Sequence, residues 1–422
     1  MRRVSCRMLA LYLFGLAGAG PAQAQAPSPP APWTWQQVHE RFLVNNPNLM
    51  ASRIVVDEAQ ATVITAGLRP NPVLSVVEDQ FRIFNPNPLV PFQNGQWTHQ
   101  VTQLIERRNK RHLRMDSARL STGIAQTDLV DVERQLTFLL RDAFIRTLQA
   151  KSLVELARDN LTYYDKVISV NRDRFLAGDI SKVDFARVEL QRVQFESDLA
   201  NAQLNLRAAK LTLLAILNER QPVGAFDVTG GFDFKDTALM PEELRQAALD
   251  SRPDLKSATT AVQRAQNDNR LAWANGSTDP IVGFEYQRSG PDNTAGVIFQ
   301  IPLRIFDRNQ GEKARTSLEI RRTEQIRTGL VAGIYRDVDS AYEAMQSLRT
   351  LILPYQQKYL TQAAENRETV SFAYARGGAS LLEFLDAQKS YRDVQLNYRN
   401  LIAGYLSAVN QLNLAVGREV IP

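Results

Sequence analysis

Two stretches of this 422-residue chain are too long and too free of helix breakers to belong to a compact globule. The run from about Arg111 to Leu176 contains no proline and a single glycine, Gly123. If this run is one helix, a rise of 1.5 Å per residue gives it a length of about 100 Å. A second run extends from about Gly311 to Arg376, where Pro354 predicts a kink or break. Helices of this length are typical of coiled coils and elongated bundles.

The two runs belong to an internal duplication with an offset of about 200 residues. The segment Phe175–Asp179 matches Tyr374–Gly378, and a serine, Ser181 or Ser380, follows each segment at the same distance. Each half contains a helix, a pair of short strands, a very long helix, a glycine turn and another long helix. The duplication therefore predicts a mainly α fold with a small β part.

The pattern divides the chain into six segments. They are a signal peptide at 1–24, a proline-rich spacer at 25–34, a first structural repeat at 35–218, an irregular linker at 219–240, a second repeat at 241–417 and a C-terminal tail at 418–422. The linker is rich in glycine, phenylalanine and aspartate, which favours an irregular connection.

The N-terminal segment has the features of a signal peptide. Met1–Arg7 is basic, Met8–Gly20 is apolar, and Ala22–Ala24 is a small-residue cleavage site, with Ala24–Ala26 as the alternative. The apolar run is too short to span about 30 Å of hydrocarbon. The single cysteine, Cys6, lies in this segment, so the mature chain lacks thiols for disulfides, metal sites or nucleophiles. An exported chain of this kind is soluble in the periplasm, secreted, or inserted as a β-barrel.

Charge and motifs exclude several classes of function. The formal charge is +5, and Arg2, Arg3 and Arg7 of the signal peptide supply three of these charges, so no nucleic-acid partner is expected. Three histidines and six methionines are too few for a rich soft-metal site. No nucleophile triad, phosphate-binding loop or zinc-protease motif is present. We therefore predict no catalytic residue, no cofactor and no metal site.

A heptad pattern marks the last long helix. One set of residues recurs every seven positions: Phe384, Tyr391, Tyr398, Tyr405 and Leu412. A second set follows three positions later: Ala387, Val394, Leu401, Ala408 and Ala415. Together they predict one a/d seam with a 3.5-residue period.

The matching helix of the first half carries two seams. One contains Val183, Leu190, Leu204 and Leu211, interrupted by Ser197, and the other contains Val188, Phe195, Ala202, Ala209 and Ile216. Because the seams lie on different faces, we expect neighbours on both sides of this helix, as in a wall of side-by-side helices. An ordinary helical bundle is the alternative.

Four short segments are predicted strands: Val73–Phe84, Trp97–Ile105, Ile281–Arg288 and Ala295–Ile301. Loops are predicted at Asn85–Gln96 and Ser289–Thr294. In the third strand, Val282, Phe284 and Tyr286 share one face, and Glu285 and Gln287 share the other. This alternation is what a membrane barrel strand requires, and a small soluble sheet capping the bundle is the alternative.

Counting strands limits how such a sheet can exist in lipid. Four strands do not close a barrel, and an open edge leaves backbone groups unpaired in the membrane. Several chains would have to share one barrel. Two chains give eight strands with a filled interior, whereas three give twelve and leave room for a pore.

Three segments resemble the TolC-type outer-membrane efflux family, most closely the branch that serves cobalt–zinc–cadmium exporters. They are Arg69–Pro72 before the first strand, Ile301–Glu312 after the last strand, and Leu381–Gln388 after Gly377-Gly378. The resemblance covers about Trp33 to Gly417. One departure is visible, because Glu106–Arg111 lacks the two glycines that the family often has there, which leaves the local turn geometry open.

The resemblance implies a homotrimer. Its long-helix hairpins would form an α-barrel through the periplasm, and four strands from each chain would form a 12-stranded transmembrane β-barrel in the outer-membrane lipid. It also implies docking to a periplasmic adaptor protein and an inner-membrane RND transporter driven by proton motive force.

The resemblance also implies roles for particular residues. Glu383 and Asp386 would line a constricted periplasmic mouth, where a trimer brings six carboxylates together and favours cations. Their alternative role is that of first-turn acids favoured by the helix dipole. In the first half the same positions hold Asp184 and Arg187.

Two further sets of candidates follow. The hairpin tips that would meet the adaptor are Gly178, Asp179, Gly377 and Gly378. The candidates for the lipid face and aromatic girdles are Phe81, Phe84, Trp97, Phe284, Tyr286 and Phe299, whose alternative is burial in a soluble cap.

The leading interpretation is a passive outer-membrane channel that carries metal cations or small toxic compounds out of the periplasm. One alternative is the duct of a type I protein-secretion system. An alternative from a different class is a soluble periplasmic coiled-coil adaptor or scaffold.

Overall fold

The computed structural model describes residues 31–80, 95–237 and 239–421, so the predicted signal peptide and most of the spacer lie outside the described residues. The first half contains α1 Trp35–Asn45, α2 Pro47–Gly67, β1 Val73–Asp79, β2 Gln96–Leu104, α3 Lys110–Ala177 and α4 Lys182–Ile216. The second half contains α5 Pro241–Ser251, α6 Pro253–Asn275, β3 Ile281–Ser289, β4 Asp292–Gln300, α7 Gln310–Pro354, α8 Leu360–Ala375 and α9 Leu381–Val416. The predicted fold class, mainly helical with a small sheet, is confirmed.

The long helices follow the distribution of proline. Helix α3 is continuous over 68 residues and about 100 Å long. Its counterpart is interrupted as predicted, because α7 ends at Pro354 and a π-helical turn, Tyr355–Tyr359, leads into α8. Proline lacks an N–H and its ring clashes with the preceding turn, so a wider turn accommodates it. No helix in the described ranges is long and apolar enough to cross a membrane.

The turns before α3 and α7 both contain asparagine in a left-handed conformation, and the first is the turn where TolC-type proteins often have two glycines. Asn109 and Asn309 both adopt left-handed backbone conformations, with φ of 56° and 61°. Arg108 joins them with φ of 59°. Asparagine tolerates this region better than most residues, and the Asn309 side chain donates to the carbonyl of Ala272 at 2.7 Å. The turn therefore forms without glycine.

Apolar side chains form three clusters along the chain. One joins α1, α3 and α4 and contains Phe42, Leu140 and Leu213, all fully buried. The second joins α5, α7 and α9 and includes Ile334, Met345 and Leu412. The third lies nearer the glycine turns and contains Tyr164, Ile168, Val188 and Phe195. Each half therefore has its own core, and the third cluster holds the α3–α4 hairpin together.

The segment between the halves is tied to the helices through Asp227. The backbone N–H of Trp33 donates to the carbonyl of Asp227 at 2.9 Å. The Asp227 carboxylate pairs with Lys151 at 2.7 Å and with Lys210 at 3.0 Å. Burial acts to raise the pKa of this carboxyl, but the two lysines outweigh burial and leave the pKa lowered. The linker is thus anchored by a charged carboxylate.

The four strands form one antiparallel sheet in the order β1-β2-β3-β4. Strands β2 and β3 join the two halves, with Val101 opposite Phe284. The edges of the sheet are β1 and β4.

One predicted loop is wrong. Strand β1 ends at Asp79, where Gln80 has φ of 59°, and residues 81–84 of the predicted strand lie outside the described residues. The predicted loop Ser289–Thr294 is mostly strand, since Ser289 pairs with Asp292 across a two-residue turn. Gly290 takes φ of 59° at the first central position, which permits a tight hairpin.

Candidate functional site

Both long-helix hairpins turn at glycines with left-handed backbone, φ 83° at Gly178 and 79° at Gly377. The N–H groups of Asp179 and Gly378 each donate to a carbonyl five residues earlier, at 2.9 and 2.8 Å. A residue with a Cβ is strained at such a φ, so glycine suits both positions. All four predicted tip residues lie in these two turns and are exposed.

At the second tip, Glu383 forms a reciprocal cap with Ser380 at the start of α9. The Glu383 carboxylate accepts from the backbone N–H of Ser380 at 2.7 Å and from its hydroxyl at 2.8 Å. Both hydrogen bonds favour the charged form and lower the pKa of Glu383. Glu383 is therefore an exposed, ionised carboxylate whose position is fixed by its own helix.

Asp386 follows one turn later on α9. It is exposed and has no hydrogen bond or ion pair within the described part of the chain. At the equivalent positions of the first tip, Arg187 lies 3.7 Å from Asp184. The first tip thus pairs a cation with its acid, whereas the second presents two carboxylates without a cationic partner among the described residues.

The two hairpins are hydrogen-bonded to each other close to these turns. The hydroxyl of Tyr374 donates to Oδ1 of Asn171 at 2.7 Å in a buried contact. Arg174 donates to the carbonyl of Tyr374 at 3.1 Å, and its guanidinium lies 4.9 Å from the centre of the Tyr374 ring. None of these residues stands out in the sequence alone. The duplication does indicate Tyr374, because this residue replaces Phe175 of the first half and adds a hydroxyl that needs a hydrogen-bond partner.

The register gives the sheet two chemically different faces. On the outer face, Val101, Phe284 and Val297 lie side by side on β2, β3 and β4. The opposite face contains Thr98, Gln100, Thr102, Glu285 and Gln287, all half-buried. Gln100 donates to Glu285 across the β2–β3 pair at 2.8 Å. The predicted separation of apolar and polar side chains is therefore present.

The predicted girdle aromatics lie on the outer face as far as the structure describes them. The exposed fractions are 38% for Trp97, 56% for Phe284, 39% for Tyr286 and 67% for Phe299. Such exposure excludes burial in the core of this chain. Phe81 and Phe84 lie outside the described residues.

In the described ranges, no three His, Cys, Asp or Glu side chains converge on a position that could hold a metal ion. The histidines are scattered: His39 stacks on Trp35 with ring centres 5.6 Å apart, and His99 lies beside Tyr286 on the sheet. Among the described residues, the acids of the second tip are therefore exposed charges rather than a ready-made ligand set.

Comparison with known proteins agrees with this architecture. The profile of the family described as "Outer membrane efflux protein" matches residues 38–219. The cobalt-zinc-cadmium resistance protein CzcC of Cupriavidus metallidurans is 27% identical over 399 residues, which is 89% of this chain and 87% of CzcC. The chain is therefore similar to the outer membrane efflux protein family over residues 38–219 and to CzcC over most of its length.

Solved structures of outer-membrane proteins have the same fold as this chain. CusC matches with a TM-score of 0.77 at 16% identity, over 94% of this chain and 99% of CusC. VceC from Vibrio cholerae matches with a TM-score of 0.75 at 17% identity, over 92% and 97% of the two chains. The MtrE outer membrane channel of Neisseria gonorrhoeae, in its open state, matches with 0.74 at 15% identity, over 92% and 89%. The duplicated helices and the small sheet therefore form one fold together.

Proposed function

We propose that this protein is the outer-membrane channel of a three-part export system and conducts its cargo passively out of the periplasm. The observation that carries the proposal is the sheet, with its exposed apolar face, its polar face and its two edges, β1 and β4, which no other described strand pairs with. Unpaired backbone groups are costly in lipid, so further copies of the chain must supply the missing strands.

Three copies satisfy this requirement and leave a pore. Two copies would give eight strands, whose interior is filled by side chains, whereas three give twelve. Gln100 and Glu285 would then face the aqueous interior, while Phe284 and Phe299 contact lipid. A homotrimer with a shared 12-stranded barrel is thus the assembly we propose.

The long helices would continue the pore as a tube. Helix α4 has one seam packed within the chain, with Val188 fully buried, and one that the chain leaves open, with Leu190 71% and Leu204 63% exposed. An open apolar seam on a helix this long needs a neighbouring helix, and the next copy of the chain supplies one.

The second tip would form the periplasmic mouth. Glu383 and Asp386 are exposed, and three copies bring six carboxylates together. A ring of carboxylates attracts cations and repels anions. CzcC is described as a cobalt-zinc-cadmium resistance protein, and cations of these metals would suit the negative charge of this mouth. We therefore propose metal cations as the cargo.

The partners follow from the same arrangement. The turns at Gly178-Asp179 and Gly377-Gly378 are the exposed ends of the hairpins, and we propose that a periplasmic adaptor docks there. An inner-membrane RND transporter would provide the driving force, since the channel itself has no energy-coupling motif that we can identify.

Planar-bilayer recording of the detergent-purified protein, together with its mass, tests the proposal. We expect a trimer with cation-selective conductance. The double change Glu383→Gln, Asp386→Asn should shift the reversal potential toward zero, whereas Asp184→Asn in the first tip should shift it less. Unchanged reversal potentials would reject the role of the mouth acids. A detergent-independent monomer without conductance would instead support a soluble periplasmic scaffold.

A further inference from the structure

Five arginines lie at the level of the molecule where the chain passes between the helices and the sheet. The chain crosses this level four times, at residues 68–72, 105–109, 276–280 and 301–309. These crossings contain Arg69, Arg107, Arg108, Arg304 and Arg308, here called the arginine collar. Arg304 is half-buried and the other four are exposed.

Nearby carboxylates do not neutralise the arginine collar. The crossings contain three acids, and each is already engaged. Glu106 pairs with Arg114, and Asp279 pairs with Lys110 at 2.6 Å. Asp307 accepts from the backbone N–H of Asn309 at 2.8 Å. Within the described part of the chain, the five guanidinium groups have no carboxylate partner, so the collar presents net positive charge.

Part of the collar borders a cleft with a volume of about 690 Å³. Its lining includes Arg69, Arg108 and the paired acid Glu106, while Pro72, Leu104 and Ile105 supply apolar surface. The outer apolar face of the sheet begins close to the cleft, where Leu74 pairs with Val101. The lining therefore suits a ligand that has an anionic group beside an apolar part.

We propose that this cleft binds the phosphate headgroup of an anionic phospholipid, with its acyl chains lying against the sheet. The proposal rests on the sheet spanning the membrane, as proposed above, which puts the arginine collar at the level of the headgroups on the helix side. Arginine matches phosphate oxygens with two parallel hydrogen bonds, and basic residues at the membrane surface attract anionic lipid.

Two further observations favour a lipid over a neighbouring copy as the occupant. In a shared barrel, β1 of one copy adjoins β4 of the next. The segment after β4 would then place Arg304, Arg308 and one acid, Asp307, near the cleft of the neighbouring copy. The neighbour would therefore add positive charge. Trp273, 62% exposed and next to this level, lies under the ammonium of Lys313 at 4.5 Å. Tryptophan and basic residues together are typical of a membrane interface.

Native mass spectrometry of the full-length protein in detergent tests the site. Phosphatidylglycerol is titrated against phosphatidylcholine for the wild type and for the double variant Arg69→Gln, Arg108→Gln. The matched control is Arg158→Gln, Arg172→Gln, which removes the same charge from exposed positions on α3 far from the sheet. We expect the wild type and the control to prefer phosphatidylglycerol by at least about ten-fold, and the cleft variant by less than about two-fold.

The remaining outcomes overturn the proposal. A cleft variant that keeps the full preference would place the lipid elsewhere. Inorganic phosphate that displaces phosphatidylglycerol at equal concentration would identify a free-anion site instead of a lipid site. Conductance in pure phosphatidylcholine bilayers is measured in parallel. If the wild-type protein conducts but shows no preference for phosphatidylglycerol, the lipid site is refuted and the channel is not. If the wild-type protein does not insert into the bilayer, the proposed channel is refuted as well.

Discussion

The two hairpins share one construction and differ in the surface they present. A shift of 199 residues relates Gly178 to Gly377 and Ser181 to Ser380, so both hairpins turn at a glycine and start the next helix at an N-cap serine. The charge that follows is different. Asp184 faces Arg187 across one helical turn in the first tip, whereas the second tip has two carboxylates. Backbone requirements thus fix the turn and cap, while the exposed positions are free to differ.

The helices that follow the tips differ in how much of their surface the chain covers. Along α9, the predicted seam is buried or half-buried, with Phe384, Tyr405 and Leu412 almost inaccessible. Along α4, one seam is buried and the other remains open, including Leu190 and Leu204. The seam of α9 is therefore covered by the chain itself, whereas the described residues leave one seam of α4 exposed, which supports the proposal that a neighbouring copy covers it.

The largest effect should come from a charge on the open seam of α4. We expect Leu190→Glu to abolish the trimer while the helical content of the monomer is unchanged, because burial of a leucine contributes about 1.5–3 kcal/mol and the assembly contains three such contacts. The control is Lys389→Glu, at the equivalent position on α9, which should leave the trimer intact. Mass measured by light scattering in detergent decides between them. A trimeric Leu190→Glu protein would contradict the proposed interface.

A smaller effect is expected where the hairpins contact each other. Tyr374→Phe leaves Oδ1 of Asn171 buried without its donor, which should lower the free energy of unfolding by about 1–3 kcal/mol. Tyr163→Phe serves as the control, because its hydroxyl, 3.1 Å from Oγ of Ser371, is only half-buried. Denaturant unfolding of both variants gives the difference. Equal losses of unfolding free energy would show that the buried Tyr374–Asn171 hydrogen bond contributes no more than the half-buried one.

The helix caps should contribute less again. Replacement of an N-cap serine by alanine typically costs about 1 kcal/mol. We expect Ser181→Ala to cost at least as much as Ser380→Ala, because each change removes one hydroxyl that accepts from a first-turn N–H, and α9 keeps the hydrogen bond from the N–H of residue 380 to Glu383. Hydrogen exchange of the first-turn amides of α9 and α4 measures both effects. A larger increase in exchange at α9 than at α4 would contradict this ranking.

Periodicity made much of this architecture predictable. The open and closed seams of α4, the break at Pro354 and the faces of β3 all follow from residue spacing, because 3.6-residue and two-residue periods fix which side chains share a face. These features depend on residues that are close in the chain.

Features that depend on distant residues were not predictable. The bond between Tyr374 and Asn171 joins positions 203 residues apart, and no local pattern specifies it. Glu383 illustrates a different limit. Its position in the first turn fitted both a cap and a channel mouth, and only the geometry showed that the carboxylate reaches the N–H of Ser380. The turn at Gly290 was misjudged because glycine, proline, aspartate and asparagine in sequence suggest a long loop.

The smallest effect should be the charge of Glu383 itself. Glu383→Gln keeps a side-chain oxygen that can accept from the N–H of Ser380, so it removes the charge without removing the cap. Folding lowers the pKa of Glu383 from its ordinary value of 4.5, so the charge stabilises the fold above that value and the stabilisation is lost as the pH falls through the lowered pKa. We expect the melting temperature of the wild type to exceed that of Glu383→Gln slightly and equally from pH 6 to pH 8, and the two to converge in acid. Asp386→Asn loses no contact within the described residues, so its melting temperature should equal that of the wild type at every pH. A gap between wild type and Glu383→Gln that is as large at pH 3 as at pH 7 would mean that amide geometry, and not charge, distinguishes the two caps.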